Sequence, residues 1–121
     1  MKDKPRAKER RDSVRVKMVF PALYTRFDNQ KRAWEQKPSK SVDMSARGVR
    51  LKSGFPVDSG ELLEISMALG DNLVTFGAKV VYAIPSEDEG FELGISIEEI
   101  ENEDRIALTR FIIQKWQREG I

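Results

Sequence analysis

Two groups of side chains in this sequence have the types and spacing to do chemistry. The first is Arg10, Arg11 and Arg15. A guanidinium is a planar fork that grips phosphate oxygens or the O6/N7 edge of guanine in a bidentate way, and its plane stacks on bases. Arg11 and Arg15 are four residues apart. In a strand they share a face about 13 Å apart, too far to grip one phosphate; on a helical turn they lie roughly one pitch apart. At the junction of an arm and a strand they could straddle a bulky anion from two directions. The second group is Asp43-Met44-Ser45-Ala46-Arg47-Gly48. On a strand Asp43 and Ser45 point to one face about 7 Å apart. A carboxylate there accepts from the N1–H and N2–H₂ donors of guanine, and the Ser45 hydroxyl both donates and accepts. Gly48 permits positive φ and a close backbone approach by a strand or a ligand. Taken alone, a solvated basic arm accounts for the arginines, and an Asp/Ser/Gly turn accounts for the second group.

The elements that must position these residues follow from periodicity. Val14, Val16, Met18 and Phe20 alternate with Arg15, Lys17 and Val19, a strand pattern that ends at Pro21. Residues 22–40 read as a second strand with a long, loose hairpin connection that contains Trp34 and Pro38. Val42 to Ser45 reads as a strand end, and Val49-Arg50-Leu51-Lys52 as another alternating run. Leu62 to Leu69 and Leu73 to Ile84 flank the reversal Gly70-Asp71-Asn72; the second run sets Val74, Phe76, Ala78, Val80 and Tyr82 on one side. Phe91, Leu93, Ile95 and Ile97 alternate after an acidic loop. Asn102 can cap a final helix with Glu103 and Asp104 in its first turn and an apolar face of Leu108, Phe111, Ile112 and Trp116 that docks on the sheet. About six short strands with tight turns predict a mainly β, antiparallel barrel or sandwich.

Composition narrows the chemistry further. The 121 residues suit one domain, and the chain has no Cys and no His. That excludes a thiol nucleophile, a thiolate or imidazole metal site, and any Ser–His or Cys–His catalysis. No apolar run is long enough to span a bilayer or to form a signal-peptide core, so a cytoplasmic protein is expected. The formal charge of +1 conceals an asymmetry. Residues 1–52 hold 16 Lys and Arg against 6 Asp and Glu, a net of +10, whereas residues 53–121 hold 5 against 14, a net of −9. An anionic partner for the first half, or attraction between the halves, accounts for it equally well. Before Val14 apolar residues are almost absent, so residues 1–9 are expected to be a flexible basic arm ahead of a single domain over 10–121. The carboxylates at Glu98, Glu99, Glu101, Glu103 and Asp104 read as a solvated helix entrance.

Taken together, Arg11-x-x-x-Arg15 and Asp43-x-Ser45-x-x-Gly48 resemble the paired signature of the PilZ domain family, with Arg10 supplying an Arg-Arg opening. Gly48-Val49-Arg50-Leu51, Ala78-Lys79-Val80-Val81-Tyr82 and Leu93-Gly94-Ile95-Ser96-Ile97 look like strands of that family, so the resemblance covers about residues 8–118. It implies a six-stranded antiparallel barrel with a C-terminal helix, and a standalone cyclic di-GMP receptor that is not an enzyme and needs no cofactor or metal. Arg10, Arg11 and Arg15 would meet phosphates and guanine faces, Asp43 and Ser45 a guanine edge, and Gly48 the loop geometry. Tyr82 falls where family members often have an aromatic residue near the ligand; no family role transfers to Trp34. Arg47, where a small residue is common, either adds charge at the site or faces solvent. The implied partners are cyclic di-GMP and a downstream protein. The competing readings are a nucleotide-independent adaptor of the pilus-assembly kind, whose members typically lack these motifs, and a small nucleic-acid-binding barrel, which predicts a steep salt slope.

Overall fold

The computed structural model describes residues 14–119. The strands are β1 (Val16–Lys17), β2 (Pro21–Phe27), β3 (Ala33–Met44), β4 (Gly48–Ser53), β5 (Leu62–Leu69), β6 (Asn72–Pro85) and β7 (Phe91–Ile100), followed by α1 (Asn102–Glu119). All pairings are antiparallel. The order β3-β2-β5-β6-β7-β4 closes on itself through β3–β4, so six strands form a barrel and β1 adds to the edge of β3. Closure leaves no long open edge. Inward residues alternate along each strand: Leu63, Ile65, Met67 and Leu69 on β5 meet Val74, Phe76, Ala78 and Val80 on β6 in a dry core. Tyr24 is fully buried there, and its hydroxyl lies 2.9 Å from Ser53 Oγ, which satisfies the one polar atom its ring carries inside.

The strand expected over residues 14–20 is broken. Only Val16–Lys17 pairs as β1, against Met44 and Asp43, and the chain then bends before Pro21 rather than after it. Ser41 stitches the bend: its hydroxyl accepts from Phe20 N at 3.0 Å and donates to the Met18 carbonyl. Pro21 opens β2, a strand position where a missing N–H disturbs no internal pairing. Instead of a long, loose connection, β2 and β3 meet in a tight reversal. Asp28 Oδ1 accepts from Gln30 N at 2.8 Å and Arg32 N at 2.9 Å, and Lys31 takes a φ of 63°. Trp34 therefore lies on β3, exposed, with the Arg26 guanidinium 4.9 Å from its ring centroid. Pro38 is tolerated because β4 pairs with β3 only from Ser39 onward.

The final helix forms as the 3.6-residue period predicts, but Glu101, not Asn102, takes the cap position: its carbonyl accepts from Arg105 N at 2.8 Å, and Asn102 is the first helical residue. Leu108 and Ile112 enter the core, and Phe111 packs edge-on against Phe20 with centroids 5.4 Å apart. Trp116, one turn further, is not part of the docked face and stays 44% exposed.

Candidate ligand site on the outer wall of the barrel

Asp43 stands near the end of β3, where a bulge changes its direction. Ser41 pairs with Leu51 and Asp43 pairs with Arg50, so Val42 is an extra residue on β3. Alternation alone would bury Asp43 beside the inward Ser41; the bulge turns it to the outer wall, beside Arg50. Two arginines then close on it. Arg15, just before β1, donates from Nε to Asp43 Oδ1 at 2.8 Å. Arg50, in the middle of β4, donates to Oδ2 from Nε at 2.8 Å and also from Nη2. Burial pushes the Asp43 carboxyl up, but the hydrogen bonds and charges of Arg50 and Arg15 outweigh it and hold the group below its ordinary value. Asp43 is ionised at neutral pH.

The hairpin between β3 and β4 places the next two residues. Ser45 Oγ accepts from Arg47 N and Gly48 N, both at 3.2 Å, and lies 3.4 Å from Arg15 Nη1. One guanidinium thus touches both Asp43 and Ser45. Gly48 does not use positive φ, which among the described glycines is confined to Gly60, Gly70 and Gly90. It is needed for close approach: a Cβ there would sit 2.6 Å from the Ile95 carbonyl oxygen of β7.

A second bulge shapes the far side. Val80 pairs with Ile95 and Tyr82 with Gly94, so Val81 is extra and Tyr82 leaves the inward face it would otherwise share with Val80. Its ring lies flat on Gly94, where a Cβ would fall 2.1 Å from a ring carbon. Its hydroxyl donates to Glu92 Oε2 at 2.6 Å, and the same oxygen receives Arg50 Nη1 at 3.4 Å. Burial and the Glu92 carboxylate both push the Tyr82 phenol up, so it remains a donor. Between the two bulges is an open cleft of about 330 Å³, with Arg15, Ser45, Arg47 and Arg50 on one side and Val81, Tyr82 and Ser96 on the other. Its polar wall is predominantly cationic, and it can take an anion that also carries flat rings.

The chain matches the family model "PilZ domain" over residues 9–114, most of its length. It belongs to the PilZ domain family. Among solved structures, the Bacillus subtilis inhibitor of motility (MotI/DgrA) superposes with a TM-score of 0.76 at 20% identity, covering 89% of this chain and 52% of that one. The PilZ domain of YcgR from Escherichia coli, solved with c-di-GMP, gives 0.64 at 15% identity, covering 88% and 91%. MrkH of K. pneumonia in its c-di-GMP complex gives 0.64 at 15% identity, covering 88% and 52%. The chain therefore spans about half the length of the MotI and MrkH chains. No curated protein matches it.

In this PilZ domain the fold brings Arg15, Ser45, Arg47, Gly48 and Tyr82 to one cleft. Asp43 sits behind the cleft, covered by Arg15 and Arg50. Arg10 and Arg11 lie outside the described residues, as does the expected arm over residues 1–9. Arg47 is exposed, and its backbone is fixed at both ends by Ser45 Oγ and Ile97 N. Trp34 belongs to another cluster, where Arg26 also bonds Glu61 at 2.7 Å and 2.9 Å and Glu35 at 3.0 Å. Sequence reasoning missed Arg50, Glu92 and Gly94. The signal for Arg50 was present: it is the outward residue between Val49 and Leu51, two positions after Gly48. Among the described residues no group of three or more acidic side chains is placed to hold a metal ion. No helix among them is long and apolar enough to cross a membrane.

Proposed function

We propose that this chain is a cyclic di-GMP receptor that acts as a cytoplasmic binding switch and catalyses no reaction. The observation that carries the reading is the single guanidinium of Arg15 bridging Asp43 and Ser45 at the mouth of a cationic cleft in a PilZ domain. Arg10, Arg11 and Arg15 would take the two phosphates and stack on guanine, Asp43 would accept from the guanine N1–H and N2–H₂ edge, and the Ser45 hydroxyl would donate or accept beside it. The basic residues preceding Val14 would close over the dianion, the ordering cost being offset by charge-assisted hydrogen bonds. Closure would change the surface offered to a downstream protein. Two PilZ relatives solved with c-di-GMP and one named as an inhibitor of motility support a role of this class, with motility, pilus or exopolysaccharide control as the output.

Calorimetric titration with cyclic di-GMP tests the reading. Wild-type protein should release or absorb heat at a saturable ratio, and Arg11→Ala, Arg15→Ala and Asp43→Ala should each weaken binding at least tenfold. Absence of binding by the wild type, or unchanged binding in all three variants, would overturn it.

A further inference from the structure

Asp43 faces a conflict if it is to read a guanine edge, because Arg15 and Arg50 already occupy it. The two arginines are held very differently. Arg15 flanks a two-residue edge strand and reaches Asp43 through Nε alone, with a long 3.4 Å contact to Ser45. Arg50 is pinned in the middle of β4, between β3 and β7. Its Nε and Nη2 both end on Asp43 Oδ2, and its Nη1 is drawn to Glu92, which also takes the Tyr82 hydroxyl. A phosphate entering the cleft competes for the more weakly tethered guanidinium.

We infer that Arg50, anchored by Glu92 and Tyr82, is the positioning residue that keeps Asp43 oriented and ionised when the ligand draws Arg15 away, and so sets guanine specificity. This rests on the receptor reading above and extends it to a residue outside both motifs. The two donors from Arg50 fill Oδ2, whereas Oδ1 holds only the Arg15 bond. Departure of Arg15 frees both lone pairs of Oδ1 for the N1–H and N2–H₂ donors of guanine. Without Arg50, that departure would leave a buried carboxylate unpaired, which then protonates or swings toward the nearest cation. Either outcome removes the acceptor that tells guanine from its analogues.

The test compares cyclic di-GMP with cyclic di-IMP, which keeps both phosphates but lacks the exocyclic 2-amino donor. Wild type should favour cyclic di-GMP. Arg50→Met should shrink that preference by about tenfold or more, to the level of Asp43→Asn, with cyclic di-IMP weakened less because its base offers Asp43 only the N1–H donor. Arg50→Lys should restore part of it, and Glu92→Gln should narrow it in the same direction. A role limited to fold stability would move both ligands alike, so the ratio separates the two. An unchanged ratio, whether both affinities fall together or neither moves, would overturn the inference. If Arg50→Met does not fold in a thermal melt, Glu92→Gln decides by the same ratio. Wild type that binds neither nucleotide removes the receptor reading itself; wild type that binds while the ratio stays fixed in every Arg50 and Glu92 variant removes only the role of Arg50.

Discussion

Asp43 is nearly buried, carries a full charge and meets two arginines, so its cost and its benefit are both large. Burial alone would raise its pKa; pairing lowers it below the unfolded value near 3.9. A group whose folded pKa is depressed stabilises the fold fully above its unfolded pKa and loses that contribution as pH falls through the folded one. Asp43→Asn should therefore be less stable than wild type at pH 7 by about 1–2 kcal/mol, a value discounted because both arginines are partly exposed. The gap should close as pH is taken from about 5 towards 2. Urea unfolding of both proteins across that range measures it, and a gap independent of pH would contradict the pairing. Tyr82 carries the other lesson at this scale. Its side chain packs on Gly94 rather than in the core, and nothing in the local alternation of β6 announces the change.

At the scale of elements, the strands themselves were legible because alternation is a direct consequence of a half-buried sheet. Leu62 to Leu69, Leu73 to Ile84 and the run from Phe91 all appear within one to three residues of their expected ends. What failed was phase. The extra residues Val42 and Val81 each flip the side chains that follow, and a bulge is decided by the partner strand, not by the strand that contains it. The same holds for the break at residues 18–20: Ser41, twenty-one residues away from Phe20, supplies the hydrogen bond that makes it possible. Gly48 gives a test at this level. Gly48→Ala would drive a methyl group into the Ile95 carbonyl, parting β4 from β7 at the hairpin that carries Ser45. A loss of about 1–3 kcal/mol in urea unfolding is expected, together with faster amide exchange along β4. An unchanged unfolding midpoint would show that the strands part without cost.

At the scale of the molecule, closure and the helix complete a core that no single element could fill. Leu108→Ala on α1 should cost about 2–5 kcal/mol, because the side chain is buried in the core and its removal leaves a cavity. Trp116→Ala on the same helix should cost far less, since its ring is 44% exposed. Thermal melts of the two variants measure the contrast, and equal losses would mean that the outer helix face is also packed. Residue type and local spacing were enough for most of the strands, the C-terminal helix, the exclusion of thiol and imidazole chemistry, and the two motifs. Which way Asp43 and Tyr82 face, the sharing of Asp43 between Arg15 and Arg50, and the place of Glu92 behind them emerge only in the folded chain. Those facts depend on register between strands distant in sequence, and a one-residue bulge reverses them while leaving the local pattern intact.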